Sequence, residues 1–429
     1  MKNLWSDTHA RTMAARYRRQ GINKDLALRV YTSRLLGNEP RLVLHGGGNT
    51  SVKTVMTDVM GEPIRVLCVK GSGWDMGDIE PPGLPAVRLE NLRQMMALER
   101  LSDEDMVNAQ RANLLDSTSP NPSVETLLHA FLPHKFIDHT HANAVLALTD
   151  QPHGDALCRK VYGTSMGYVP YIMPGFALAK KAYEVFLQDP DVEGLILFKH
   201  GIFSFGETAK QAYERMIRMV TRAEKKLAKG RKKVFAGKAL PKKIGRLADV
   251  APILRGLMAE QTGEGSYRRM VMDFRTTKAV RAFVDGRGLG RYSQQGTATP
   301  DHVIRTKQKP LIVPAPAAGD LGGFEAGARQ ALKAYQKDYH AYFNRNNKRQ
   351  KTKKTELDRL PRLILVPGLG LFGLGASAKA AAIAADLGET NVDVITAAES
   401  MSTYSVINEP DIFDIEYWSL EQAKLGKGA

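Results

Sequence analysis

A chain of 429 residues is longer than a single hydrophobic core usually supports, so two domains are expected. With 43% hydrophobic residues, 38 glycines and no run of about 18 apolar residues, the composition is that of a globular α/β protein and disfavours a membrane span. The formal charge of +16 is concentrated in 222–246 and 344–354, which lack aromatic interleaving or a nucleic-acid module; solvated helix ends or attraction of anionic substrates fit better than nucleic-acid binding.

The N-terminal MKNLWSDTHARTMAARYRRQG lacks the apolar core of a secretory signal, and Cys68 and Cys158 form no disulfide framework. A cytoplasmic location is expected. KDLALRVYTSRLL, 24–36, has helical spacing, and LVLHGGGNTSVK reads as a strand entering a glycine turn. IRVLCVKGSG, 64–73, repeats that arrangement. PAVRLENLRQMMAL and SVETLLHAFLP read as helices, the second with Ser123 as cap. FIDHTHANAVLAL runs from a buried strand into a helix, and VEGLILFKHGIFSFG is strand, turn and strand. A long amphipathic helix, ETAKQAYERMIRMVTRAEKKL, follows. Folding resumes at RRMVMDFRTTKAVRAFVDG after the basic segment, which places a boundary near 250. The second half offers a helix from about 323 to 345 and PRLILVPGLGLFGLGASAKAAAIAADL.

An internal repeat is visible. HGIFSFGETAKQA, 200–212, aligns with LGLFGLGASAKAA, 369–381, so that Gly201, Phe203, Gly206, Ala209, Lys210 and Ala212 meet identical residues. His200 is answered by Leu369. The second copy keeps the scaffold and drops the imidazole.

His139 and His141 are two residues apart, so on a strand they share one face and can reach one ion. His200, at another strand end, would complete three imidazoles with an open position, the pattern of a catalytic metal site. GGGNTS, 46–51, and KGSG, 70–73, are glycine turns rich in donors; they are either structural turns or anion nests. Glu125 enters an apolar helix as a surface residue, a cap or, beside a metal, a proton carrier.

These motifs together resemble the class II aldolase/adducin family. DHTHANA and KHG resemble its zinc triad, which makes His139, His141 and His200 the expected ligands of Zn²⁺ or another divalent metal. HGGGNTSVK and VKGSG resemble its phosphate-binding turns, implicating Gly48, Asn49, Ser51, Lys70, Ser72 and Gly73. PSVE resembles the segment with the catalytic glutamate, here Glu125. LRVYTSRLLG, GTATPDHVIRTK and DIFDIEYWSLEQAKL resemble more closely the aldolase portion of a subgroup that joins a rhamnulose-phosphate aldolase to a short-chain dehydrogenase.

The resemblance implies an α/β/α sheet domain over 1–250, a degenerate aldolase-like α/β domain over 251–400, and 401–429 as a tail like a linker to a dehydrogenase domain that does not follow KLGKGA. It implies cleavage of a ketose 1-phosphate into dihydroxyacetone phosphate and an aldehyde, by a homo-oligomer such as a tetramer. The alternatives are an epimerase, dehydratase or decarboxylase with the same metal chemistry, or a non-catalytic scaffold. No role is assigned among Tyr162, Tyr168 and Tyr171, and His302 is expected to pack.

Overall fold

The computed structural model describes residues 1–425, which divide into two units: Met1–Thr149 with His153–Lys229, and mainly Gly230–Gln422. The division falls after Lys229, and position 250 lies inside a helix, Leu247–Leu257.

The first unit is built on seven strands: β1 (Asn49–Thr57), β2 (Pro63–Val69), β3 (Ala86–Arg88), β4 (Phe136–Thr140), β5 (Gly167–Val169), β6 (Gly194–Leu197) and β7 (Gly201–Gly206). They form one sheet in the order β3-β2-β1-β4-β7-β6-β5. All neighbours are antiparallel except β5 and β6. LVL at 42–44 is not a strand; the first glycine turn precedes β1 instead of following one. Because β1 and β2 are antiparallel, with Ser51 opposite Val69, the turn before β1 and the turn after β2 share one end of the sheet. The register also sets Asn49 opposite His139, and His139 opposite Phe203.

The helix Ala209–Leu227 buries Ala209, Ala212, Tyr213, Met216, Met219, Val220 and Ala223, the three-and-four spacing of one face. Thr208 caps it by accepting from the Gln211 amide at 3.1 Å, a contact of about 1 kcal/mol. The helix Lys24–Gly37 sends Arg29 inward, where its guanidinium lies 2.5 Å from Asp138 with both side chains fully buried. Arg29 also donates to the carbonyls of Ser51 and Ile137, at 3.3 Å each. Burial pushes Asp138 up and Arg29 down, and their mutual attraction opposes both shifts. Removing one partner would strand a buried charge, at about 3–5 kcal/mol. The pair therefore pins β4 beside His139.

The second unit has a hairpin of β8 (Glu260–Gly263) and β9 (Ser266–Arg268), then β10 (Val271–Arg275), β11 (Leu311–Ile312), β12 (Leu363–Val366) and β13 (Gly370–Gly375). Its four-stranded sheet runs β10-β13-β12-β11. This repeats β4-β7-β6-β5 strand for strand, with the last pair parallel and the others antiparallel. Leu197 opposite Gly201 becomes Val366 opposite Gly370, and Leu195 opposite Phe203 becomes Ile364 opposite Phe372. Residues 401–422 fold as part of this unit. The helix Glu409–Glu416 buries Ile412, Phe413 and Ile415, and Phe413 and Tyr417 pack with Tyr339, Tyr342 and Phe343. The rest of the expected tail, 426–429, lies outside the described residues.

The lysines at 232, 233, 238, 242 and 243 are exposed, as solvated positions should be. Lys353 closes a helix end by donating to the carbonyls of Asn347, Lys348 and Gln350. Among the described residues no helix is long and apolar enough to cross a membrane. Cys68 and Cys158 are both buried and are not joined in a disulfide.

Candidate metal centre

His139 lies within β4, His141 one residue beyond its end, and His200 in the turn between β6 and β7. All three are buried, and one ligand atom from each falls within 4.8 Å of the others. The His139 Nδ1 lies 3.1 Å from the Ile202 carbonyl, so it carries the proton and Nε2 is left as a lone-pair donor. That Nε2 lies 3.1 Å from Nε2 of His141. Four-coordinate ligation with bonds of about 2.0–2.1 Å sets ligand nitrogens about 3.3 Å apart, a spacing this pair matches, and with the His200 nitrogen within 4.8 Å the three could hold one cation with a position left over. Phe203 stacks on His139 with ring centroids 4.1 Å apart.

Two glycines make room for this arrangement. A Cβ on Gly48 would sit 2.6 Å from the His139 carbonyl, in a backbone of φ 57° that disfavours side chains. A Cβ on Gly201 would lie 2.5 Å from the Thr140 carbonyl and about 3 Å from the rings of His139 and His141. Gly201 is thus needed for space. The left-handed residue of that turn is Lys199, with φ 58°.

Glu125 occupies the N-cap position of the helix Thr126–Phe131 but makes no capping bond. Its side chain is buried and turned to the imidazoles: Oε2 lies 3.4 Å from His139 Nε2, and Oε1 lies 3.6 Å from His200 Nε2. Asn49 Nδ2 donates to Glu125 Oε2 at 2.7 Å and to Ser123 Oγ at 3.0 Å. Asn49 Oδ1 faces His129 Nε2, and His129 Nδ1 lies 2.7 Å from Ser51 Oγ. An amide oxygen only accepts, so His129 carries its proton on Nε2 and accepts from Ser51 at Nδ1. Burial holds this imidazole well below the usual histidine range, which keeps it neutral. Sequence reasoning missed His129, although it stands four residues from Glu125 at the one-turn spacing of a helix.

The residues expected to bind phosphate separate into two groups. The side chains of Asn49 and Ser51 belong to the buried network just described. Lys70 is buried too, and its ammonium donates to the carbonyls of Gly46 at 2.9 Å and Trp74 at 2.6 Å. It ties the two glycine turns together. The Ser72 amide is bonded to the Asn121 carbonyl at 2.8 Å, and that of Gly47 to Leu44 at 3.0 Å. Among the described residues, the amides of Gly46, Gly48 and Gly73 donate to no protein group. These three, at positive φ, are the donors the turns can offer an anion.

Of the other residues considered, Tyr162 lies in the apolar core, where Arg222 sits 5.4 Å from its ring centroid. Tyr168 donates to the Gly163 carbonyl at 2.7 Å. His302 is buried in a short turn, Pro300–His302, of the second unit.

Residues 27–227 match the Class II Aldolase and Adducin N-terminal domain, and residues 245–425 match the second domain of class II aldolases. The protein belongs to the class II aldolase/adducin family. The N-terminal class II aldolase domain of a conserved protein from Thermoplasma acidophilum is 39% identical, covering 53% of this chain and 99% of that one, with a TM-score of 0.48. A sugar-phosphate aldolase from Thermotoga maritima is 17% identical over 47% of this chain and 93% of its own, with a TM-score of 0.36. In Bacillus subtilis (strain 168), the uncharacterized oxidoreductase YuxG is 32% identical over 404 residues. That match takes in 92% of this chain, which spans 57% of the length of that relative. GLGLFGLG, the glycine-rich stretch that invites comparison with a dinucleotide site, is the turn leading into β13 and the strand itself.

Proposed function

We propose that the protein is a zinc-dependent lyase that reversibly cleaves a ketose 1-phosphate into dihydroxyacetone phosphate and an aldehyde. The observation that carries this reading is the position of Glu125, a buried carboxylate within 3.4 and 3.6 Å of two of the three clustered imidazoles. Zinc held by His139, His141 and His200 would supply Lewis-acid polarisation of a substrate carbonyl.

The protein's own groups account for the rest. The amides of Gly46, Gly48 and Gly73 take the terminal phosphate, which fixes the carbons that face Glu125. Lys70 holds the two turns at the spacing this requires. Glu125 moves the proton: as the C–C bond breaks, its carboxylate takes the hydroxyl proton of the carbon that becomes the aldehyde and then returns it to the carbon of the other fragment that has lost its neighbour. Asn49 keeps Oε2 of that group in place, and Oε1 is the oxygen from which the proton moves. A scaffold protein would have no use for a carboxylate aimed at two of three clustered imidazoles.

The test is a panel of ketose 1-phosphates offered to the zinc-loaded protein, with release of dihydroxyacetone phosphate as readout. Release from at least one member, lost on chelation and restored by zinc, is expected. Metal-replete protein that releases none, or converts the sugars only to isomers, overturns the lyase assignment.

A further inference from the structure

The second unit contains a cavity of about 430 Å³ that plays no part in the reading above. Small-ligand sites typically measure about 300–1,000 Å³. One wall is the chain entering β11, and the other is a face of the helix Leu321–Asn347 that presents Tyr335, Tyr339 and Tyr342.

Most polar groups on these walls are already engaged. The Tyr335 hydroxyl donates to the Lys309 carbonyl at 3.2 Å, and Gln294 donates to the Pro310 carbonyl at 3.1 Å. Tyr339 and Tyr342 both donate to the buried Glu416 carboxylate. Arg345 makes a two-point pair with Glu409, at 2.6 Å for each contact. Gln308 is different. It is only 8% exposed, it lines the cavity, and among the described residues its amide bonds to no protein group. Its donor and acceptor are therefore left to whatever fills the cavity.

The backbone holds Gln308 there under strain. Lys307, immediately before it, has φ 63° and ψ 171°, a conformation that essentially only glycine adopts freely. Its ammonium is anchored by the Tyr339 hydroxyl and the Asp358 carbonyl, each at 2.9 Å. Relaxing the strained residue would break these contacts and swing Gln308 off the cavity wall.

We propose that this cavity is a binding site for a neutral polyhydroxylated ligand of monosaccharide size, held by the Gln308 amide. An amide both donates and accepts, as hydroxyl groups do, and so matches a polyol in either sense. The Tyr335 ring gives a flat apolar surface for the C–H face of a sugar. The charges speak against an anion: Arg345 is neutralised by Glu409, and Lys309 shares the walls with Asp338. The proposal does not rest on the lyase reading, which concerns residues of the first unit.

Saturation-transfer NMR and calorimetry on the full chain test it, with aldohexoses, 6-deoxyhexoses, ketohexoses and pentoses as probes. Each is offered at about 10 mM, ten times a Kd of 1 mM. At least one should bind saturably, equally well in the wild type and in His139→Ala. Gln308→Leu should weaken that binding at least ten-fold without lowering Tm, because it removes an unpartnered amide. Ala334→Trp, which fills the cavity, should abolish it. Four outcomes would each overturn the site: no probe binds, phosphorylated sugars bind more tightly and lose that binding in Gln308→Leu, both variants bind like the wild type, or His139→Ala loses the ligand.

Discussion

The four strands β4-β7-β6-β5 and their counterparts β10-β13-β12-β11 share order, direction and register, yet only the first set carries imidazoles. Where His139 faces Phe203, Phe274 faces Phe372. Thr276 follows β10 as His141 follows β4, and Leu369 stands in the turn as His200 does. The two turns close alike, with the amide of His200 bonded to Leu197 at 3.2 Å and that of Leu369 to Val366 at 3.0 Å. In the second unit Thr276 spends its hydroxyl on the Leu369 carbonyl at 2.8 Å. Fold and chemistry are therefore separable: apolar alternation and glycine spacing make the scaffold, and three side chains make the centre.

Writing one copy into the other tests this. The largest effect is expected from His200→Leu, which installs the residue of the second copy. Metal affinity should fall by more than about 100-fold, beyond what loss of an outer partner costs, while circular dichroism stays unchanged; unfolding would show that the imidazole is structural. Glu125→Gln should retain metal and lose about 10²–10⁴-fold in turnover. Full activity in that variant would remove Glu125 from proton transfer.

His129→Leu comes next. Without the Nε2 proton, the Asn49 amide is free to turn its oxygen toward Glu125. The expected loss is about 10–100-fold, in kcat more than in KM, with partial rescue by His129→Gln. His129 also carries a pH signature. Its folded pKa lies below the ordinary value of about 6.5, so the unfolded chain binds the extra proton. Stability is full above about 6.5 and declines as pH falls from there toward the folded pKa. Urea titrations from pH 7 to 5 should show this decline, and His129→Gln should flatten it.

The smallest effect concerns the turn itself. Lys199 adopts φ 58° where the second copy has Gly368 at φ 86°. Lys199→Gly should stabilise by about 1 kcal/mol, the cost of a left-handed side-chain residue. Gly368→Lys should destabilise, since its Cβ would meet Ile244 at 2.7 Å.

The triad, Glu125 and the repeat were legible because spacing determines them: two residues on a strand, one turn on a helix, a constant offset. What surrounds them depends on register, which no single segment displays. Asn49 and Ser51 follow a glycine turn and look like anion ligands, but β1 pairing on β4 turns them into the His129 network. Lys70 looked like a phosphate ligand from its charge, and the carbonyls it meets come from a turn some twenty residues away and from its own. The tail read as a linker because the aromatic residues that receive Phe413 and Tyr417 lie about seventy positions earlier.

The ion-free twin also bears on assembly. Since β10-β13-β12-β11 stands without ligating residues, the scaffold has no need of an ion as a folding staple, unlike small zinc domains that are unfolded without theirs. The histidine pocket is a berth built before its occupant arrives. On the function proposed above, metal-free protein would be folded and inactive, and loading would need no refolding step.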